Sequence, residues 1–156
     1  MAWMNLFRRN IIIIYETKEW REAALQKILK EFERERSEYT ISYDRTDSQL
    51  LIKSSLGTVR FVPCDERYLC GLRVDECYFQ SCLFRKSYRF KTREMVNACL
   101  GACLNIDYCF VIINMDENAE QDGKYFRSMG VGLVNYIRQC EKDEPHLKED
   151  YPYLFL

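Results

Sequence analysis

The chain has 156 residues, which is enough for one domain with its own hydrophobic core. Hydrophobic residues make up 47% of it and charged residues 30%, a balance that is typical of globular proteins and excludes a largely disordered chain. The 23 basic and 24 acidic residues give a formal net charge of -1, so no overall positive field attracts nucleic acid, and such binding requires a local basic patch.

Strands and helices alternate along the first half of the chain. The β-branched run at residues 10–15 predicts a central strand that is buried on both faces. Thr17 is suited to cap the following helix, which we expect to continue to about Arg36 because its apolar residues recur every four positions. Three short strands are predicted next, at residues 39–43, 49–53 and 58–62.

The second half continues this alternation. Its predicted elements are a strand at residues 72–79, a helix at residues 91–105 that ends at Asn105, a doubly buried strand at residues 108–115, and a helix at residues 124–141 that contains Gly130 and Gly132. This order predicts an α/β fold, a single-domain mixed sheet with helices packed on its faces. The domain is expected to span residues 1–145.

An apolar C-terminal tail, residues 146–156, follows the domain. It ends in Tyr151-Pro152-Tyr153-Leu154-Phe155-Leu156, a stretch too apolar to lie free in water. We expect it to pack on the domain or on a second copy of the chain, and in the second case it makes a homodimer. His146, the only histidine, is expected at the surface of this tail, so a Ser-His or Cys-His nucleophile pair is not predicted.

The eight cysteines contain no C-x-x-C pair, and this spacing argues against structural zinc. Most of them lie in apolar runs, which predicts free buried thiols, with a reactive or metal-bound thiol as the alternative. No signal peptide is recognisable, and no apolar run approaches the roughly 18 residues that span a bilayer. We therefore expect a cytoplasmic protein that does not contact membranes.

Residues 51–79 carry the most informative pattern of the chain. A strand leads through the turn Ser54-Ser55-Leu56-Gly57 to a second strand, then to Gly71-Leu72-Arg73 and to the acidic pair Asp75-Glu76. This order resembles the motor core of phage large terminases and related P-loop packaging ATPases, over about residues 10–79. In that family a hairpin leads to a Gly-Leu-Arg-like loop, and an acidic Walker B pair closes the next strand.

The resemblance implies a P-loop-NTPase-like fold. It assigns the Walker B roles to Asp75, which supports Mg²⁺ in such proteins, and to Glu76, which activates water. The sequence has no Gly-x-x-x-x-Gly-Lys-Ser/Thr, the loop whose backbone N–H groups and lysine hold the phosphates. Because phosphoryl transfer depends on positioning by that loop, we predict a P-loop-like fold that lacks the P-loop, and no autonomous ATPase activity.

Two acidic pairs are candidate metal ligands. Asp116-Glu117 follows the predicted strand 108–115 at its carboxyl end, where α/β sheets bind ligands, and Asp75-Glu76 lies within or near the end of the strand 72–79. If these strands are neighbours, Asp75, Asp116 and Glu117 are placed to hold Mg²⁺ through oxygen ligands. The alternatives are a strand-exit turn at Asp116-Glu117 and a structural ion pair of Asp75-Glu76 with Arg73.

Residues 85–93 form a basic segment in which aromatic residues interleave with cations. This pattern suits contact with phosphates and bases or with an acidic protein groove, and Arg85, Lys86 and Arg89 are expected to be exposed. The alternative interpretation is a solvated loop and helix start. The predicted binding residues are Arg85, Lys86, Tyr88, Arg89, Phe90, Lys91 and Arg93.

These observations predict a non-catalytic binding module of phage or mobile-element type, which needs no cofactor. It would be an accessory or inhibitor protein that binds a nucleic-acid-processing protein partner, nucleic acid, or both, and it would act in the host cytosol if a phage encodes it. The alternative is a divergent Mg²⁺-dependent nuclease or nucleoside triphosphatase that uses Asp75, Glu76 and Asp116, with Lys53 or Lys91 beside them.

Overall fold

A mixed β-sheet with helices on both faces forms the protein. The structure is a computed structural model that describes residues 9–55, 57–102, 106–113, 115 and 125–155. The strands are β1 (Arg9–Tyr15), β2 (Tyr39–Tyr43), β3 (Leu50–Ser54), β4 (Gly57–Pro63), β5 (Glu76–Gln80), β6 (Cys109–Ile112) and β7 (Gly130–Gly132). The α-helices are α1 (Lys18–Arg34), α2 (Arg89–Ala102), α3 (Leu133–Gln139) and α4 (His146–Asp150). The predicted α/β class is confirmed.

The sheet is parallel at its centre and antiparallel at both margins. Its spatial order is β2-β3-β4-β1-β5-β6-β7. β1 pairs in parallel with β4 and β5, and β5 pairs in parallel with β6. β2, β3 and β4 form an antiparallel meander, and β7 runs antiparallel to β6. The predicted central position of β1 is therefore confirmed.

β1 separates two hydrophobic cores. Ile12 and Ile14 enter the core that also contains residues of α2 and α3, whereas Ile11 and Ile13 enter the core that contains residues of α1. All four isoleucines are buried, as expected for a strand whose side chains alternate between two covered faces. β1 therefore contributes two buried isoleucines to each of the two cores.

α1 begins and ends close to its predicted bounds. The Thr17 hydroxyl accepts a hydrogen bond from the Trp20 N–H (3.3 Å), which satisfies one of the free donors of the first turn. The helix ends at Arg34, close to the predicted end near Arg36. Its buried apolar residues are Ala24, Leu25, Ile28 and Phe32. No helix in the described ranges, α1 included, is long and apolar enough to cross a membrane.

Two strands are shorter than the sequence predicts. β5 begins at Glu76 and not at residue 72, and Gly71, with a positive φ of 74°, lies in the turn ahead of residues 72–75. β6 covers Cys109–Ile112, whereas the pattern predicts residues 108–115. α2 starts at Arg89, ahead of the predicted residue 91, and its predicted end at Asn105 lies outside the described residues.

The predicted helix at residues 124–141 is wrong in its first half. Within the described residues, a 3-10 turn at Phe126–Met129 and strand β7 precede α3. Gly130 lies so close to the neighbouring strands that an added Cβ would be 3.1 Å from the Phe110 Cβ and 3.3 Å from a ring carbon of Tyr78. The glycine that lowers helix propensity is therefore the residue that lets this chain segment approach β6.

The C-terminal segment, residues 146–155, packs on the domain. It consists of α4 and a 3-10 turn at Pro152–Phe155. Tyr151 is 1% exposed and joins the core on the α2 side of the sheet, so the segment packs on the domain, one of its two predicted positions. The expected surface position of His146 is wrong, because the residue is buried and its Nε2 lies 3.1 Å from the Phe84 carbonyl oxygen.

Tyr151→Ala is expected to lower the free energy of unfolding by about 3 kcal/mol, because it removes a buried aromatic ring and leaves a cavity. Urea denaturation of the parent and the variant measures this change. Tyr153→Phe is the control: it keeps a ring and removes a hydrogen bond to Asn97 at the surface, so a loss of about 1 kcal/mol or less is expected. Equal stability of the parent and Tyr151→Ala would show that the segment does not support the domain.

Candidate binding site at the carboxyl edge of the sheet

The carboxyl ends of the parallel strands meet along one side of the sheet, which we call the carboxyl edge. β4, β1, β5 and β6 end there, at Pro63, Tyr15, Gln80 and Ile112. The chain leaves β1 toward α1 on one face of the sheet, and it leaves β5 toward α2 on the other face. Connections that diverge from neighbouring strands open a crevice between them, which is the usual ligand position in α/β sheets.

Gln80 fills the crevice between β1 and β5. Its Oε1 accepts hydrogen bonds from the backbone N–H groups of Glu16 (2.7 Å) and Thr17 (3.2 Å), and its Nε2 donates to the Thr17 hydroxyl (3.3 Å). Backbone N–H groups at the start of a helix are the groups that bind phosphate in nucleotide sites. The two N–H groups that Gln80 binds belong to the N-cap residue of α1, Thr17, and to Glu16, which precedes it. Gln80 is absent from the predicted site residues, and its sequence signal is a polar side chain that ends an apolar run.

Ion pairs attach the basic segment to this edge and to α4. Lys91 Nζ lies 2.7 Å from Glu16 Oε2, next to the carboxyl end of β1. Arg89 donates from Nε (3.0 Å) and Nη2 (2.8 Å) to Asp150 Oδ1, and Arg93 Nη1 lies 3.9 Å from the same oxygen. The predicted exposure of Arg89 is therefore wrong, because this two-bond contact holds its side chain half-buried.

Two aromatic rings of the basic segment lie beside cations. The guanidinium carbon of Arg93 is 5.7 Å from the Phe90 ring centroid, and Lys91 Nζ is 4.6 Å from the Tyr88 ring centroid. Both distances suit cation–π contacts. Phe90 is nevertheless 70% exposed, so most of its apolar surface lies in water.

Arg85 and Lys86 are the exposed cations of the segment without ion pairs. Neither forms an ion pair with a residue that the structure describes. α2, which follows them, carries Arg89 and Lys91 in its first turn and no acidic residue there. Cations are unfavourable at that end of a helix, because the macrodipole places partial positive charge there. Helix stability therefore does not explain the charge of this segment.

Asp75 and Glu76 lie at the opposite, amino edge of the sheet. Glu76 is the first residue of β5, and Gln80 is the last. Of the two predicted positions of the acidic pair, the one near the carboxyl end of the strand is wrong, because Glu76 lies within β5 as its first residue and Asp75 precedes it. Lys91 lies at the carboxyl edge, and two strands, β4 and β1, separate Lys53 from β5. The structure does not bring either lysine together with the pair.

Glu76 is completely buried within a cluster of partners. Its Oε1 accepts a hydrogen bond from Arg9 Nη1 (2.6 Å) and lies 3.5 Å from Arg127 Nη2, and its Oε2 accepts one from the Tyr78 hydroxyl (2.9 Å). Burial and the nearby Glu76 carboxylate raise the pKa of Tyr78 well above its ordinary value, so this phenol remains a donor at neutral pH. Glu76 therefore forms ion pairs with Arg9 and Arg127, whereas the sequence suggests Arg73 as the partner of the acidic pair.

Asp75 has structural partners as well. Its Oδ2 accepts a hydrogen bond from the Asn10 N–H (2.8 Å), and Arg73, the predicted partner, lies 3.4 Å from Oδ1. The other predicted metal ligands, Asp116 and Glu117, lie outside the described residues. Among the residues that are described, no three or more His, Cys, Asp or Glu side chains form a group able to hold a metal ion.

Several cysteines are buried, as predicted. Cys77, Cys99 and Cys109 lie in the core on the α2 side, whereas Cys70 is exposed. Cys64 follows β4 at the carboxyl edge, and burial raises the pKa of its thiol to about 12. Such a thiol is uncharged at neutral pH, so Cys64 is not an activated nucleophile.

Comparison with known proteins yields a likeness of fold. The sequence matches no protein-family model and no curated protein. Three structures of the large terminase from a thermophilic bacteriophage, one of them in complex with ADP, have TM-scores of 0.43, 0.40 and 0.39 at 14%, 16% and 18% sequence identity. The matches cover 70% of this chain and 27%, 26% and 25% of the terminase chains, so the chain spans about a quarter of their length. The chain weakly resembles phage large terminases.

Glu76→Gln is expected to lower the free energy of unfolding by about 2–3 kcal/mol, because it leaves two arginines beside a buried neutral group. Asp75→Asn is the matched control, because asparagine can still accept the hydrogen bond from the Asn10 N–H. The variant loses only the ion pair with the exposed Arg73, which is worth about 1 kcal/mol or less. Urea denaturation measures both. A Glu76→Gln variant as stable as the parent would contradict the structural role of Glu76.

Proposed function

We propose that this protein is a non-catalytic binding module, an accessory or inhibitor protein that uses its basic segment to bind a nucleic-acid-processing partner with an acidic surface, or nucleic acid itself. The observation that carries the proposal is the exposed Phe90 in one short segment with Arg85 and Lys86, two cations that have no ion pair within the described residues. An exposed ring is an anchor for an interface, and the cations supply the attraction to acidic groups. A phage or mobile-element origin and a cytoplasmic location remain predictions from the sequence.

The ion pairs of the segment support this role. Asp150 holds Arg89 and Glu16 holds Lys91, so two of the cations fix the segment to the domain. A segment that is ordered before binding loses less conformational entropy when a partner arrives. The held cations therefore position Phe90, and the unpaired ones are left for the partner.

The carboxyl edge supports a role without nucleotide chemistry. The N–H groups of Glu16 and Thr17 already donate to Gln80, so a phosphate would have to displace that side chain. Leaving a buried amide without partners costs about 1–3 kcal/mol. Glu76, the predicted water-activating residue, contacts Arg9 and Arg127 at the other edge of the sheet.

The double variant Arg85→Ala/Lys86→Ala is expected to weaken binding to a single-stranded oligonucleotide or to a polyglutamate peptide by about ten-fold, because it removes two unpaired cations. Fluorescence anisotropy with labelled probes measures both affinities. Lys53→Ala/Arg73→Ala is the matched control, since it removes the same charge from exposed residues away from the basic segment, and it should bind like the parent. Arg89 is left intact because its loss would uncover the buried Asp150.

Salt dependence identifies the kind of partner. Affinity for the oligonucleotide should fall steeply with added salt if phosphates are the ligand, because each neutralised phosphate releases counterions. For an acidic protein groove, salt should mainly slow association, and Phe90→Ala should speed dissociation. The proposal fails if the parent binds neither probe, or if the double variant and its control bind equally well.

Calorimetry separates this proposal from the alternative, a Mg²⁺-dependent nuclease or nucleoside triphosphatase that uses Asp75, Glu76 and Asp116. We expect no binding heat from Mg²⁺ or Mn²⁺, with or without ATP, because Glu76 is held by arginines and the sequence has no P-loop to hold phosphates. Saturable binding of metal with micromolar affinity, lost in Asp75→Asn, would favour the hydrolase. Tight ATP binding without metal would contradict the predicted consequence of the missing P-loop.

A further inference from the structure

β2 lies at the margin of the sheet, and one of its sides has no strand partner among the described residues. Its other side pairs with β3, where Ile41 faces Ile52. In the same register, the Asp44 N–H donates to the Gln49 carbonyl (3.1 Å). Hydrogen-bonded and non-hydrogen-bonded pairs alternate along an antiparallel ladder, so every second residue of β2 points its N–H and C=O away from β3. These residues are Tyr39, Ile41 and Tyr43.

This free side lacks the usual protection of an edge strand. Proteins commonly place charged side chains, proline or a bulge on such a strand, because exposed backbone groups recruit other strands. β2 reads Tyr39-Thr40-Ile41-Ser42-Tyr43 and contains none of these residues. Tyr43 is 52% exposed although its ring is largely apolar. The strand is therefore suited to receive another strand.

The order of side-chain types in β2 is the same in both directions: aromatic, hydroxyl, aliphatic, hydroxyl, aromatic. We propose that β2 pairs antiparallel with β2 of a second copy of the chain, with Ile41 facing Ile41 across a two-fold axis. In this register Tyr39 lies opposite Tyr43 of the second copy, Ile41 opposite Ile41, and Tyr43 opposite Tyr39. Each of these three residue pairs exchanges two backbone hydrogen bonds, which gives about six in total. A symmetric contact requires a surface that is complementary to itself, which this strand has.

The side chains fit the same register. On the α1 side, Tyr43 faces Tyr39 of the second copy, whose ring centroid is 5.5 Å from that of Phe32 in its own chain. The exposed Tyr43 thereby extends an existing aromatic pair, a favourable cross-strand contact. On the other side, Thr40 faces Ser42 of the second copy in a non-hydrogen-bonded pair, where side chains lie closest and hydroxyl groups suit each other.

Charges next to the strand predict an unusual salt dependence. In the proposed register Glu38 faces Asp44 of the second copy, just beyond the strand ends. Like charges opposite each other weaken the dimer, and added salt screens them. The dimer should therefore strengthen with salt, whereas binding through the basic segment should weaken. A contact of two short strands is smaller than the standard interface of about 800 Å² per partner, so we expect micromolar dissociation.

This inference is independent of the proposed function, because β2 lies at the margin of the sheet and the basic segment lies beside β1 and β5. A dimer through β2 carries two basic segments. If a partner offers two acidic sites within reach, the second contact becomes intramolecular, and the observed affinity rises without a new contact.

Sedimentation equilibrium over the micromolar range tests the proposal with two matched double variants. Thr40→Glu/Ser42→Glu places glutamates opposite each other across the axis, whereas Thr40→Glu/Ser42→Lys places glutamate opposite lysine. Both carry the same Thr40→Glu change, which faces Lys53 on β3 in either case. We expect the first variant to dissociate at least about ten-fold more readily than the second. Circular dichroism and urea denaturation confirm that each variant is folded.

Tyr43→Pro is a further variant that leaves the ladder with β3 intact, because the N–H it removes points outward. It should weaken the dimer while the chain stays folded. A parent that remains monomeric at the highest concentration would overturn the proposal. So would a dimer of equal strength in both double variants and in Tyr43→Pro, since the contact would then lie elsewhere, for example at the C-terminal segment. A dimer that weakens with added salt would overturn the register.

Discussion

The burial of β1 on both faces is the constraint on which the rest of the structure depends. Ile11 to Ile14 alternate between two cores, and each fully buried isoleucine contributes about 1.5–3 kcal/mol relative to an exposed one. A strand buried on both sides needs helices on both faces, so the chain must leave β1 and β5 in opposite directions. The crevice at the carboxyl edge follows from that requirement, before any functional residue is considered.

The two edges of the sheet differ in whether their charged side chains are buried or exposed. At the amino edge the carboxylate of Glu76 is fully buried, and Arg9, Arg127 and Tyr78 compensate the cost of removing it from water. At the carboxyl edge an uncharged amide, Gln80, occupies the crevice, and charged groups remain at the surface. The buried charge therefore has its partners inside the protein, whereas the charge at the carboxyl edge is exposed.

The C-terminal segment links stability to this exposed surface. Tyr151 is buried in the core on the α2 side, while the neighbouring Asp150 receives two hydrogen bonds from Arg89. Arg89 begins α2, and the next residue, Phe90, is exposed. The contact between Asp150 and Arg89 therefore joins the basic segment to a residue 61 positions further along the chain.

Local patterns by themselves determined β1, α1 with its Thr17 cap, β2 and the meander that follows, because their periodicity and capping act between residues that are close in sequence. The basic segment was also visible as a cluster of cations and rings. Only the tertiary structure decided that Asp75 and Glu76 open β5 instead of closing it, that Arg9 and Arg127 neutralise Glu76, and that Arg89 is held by Asp150. Only the tertiary structure also shows that Gly130–Gly132 forms strand β7, which pairs with β6. These outcomes depend on contacts between residues far apart in the chain, which local propensity and spacing do not specify.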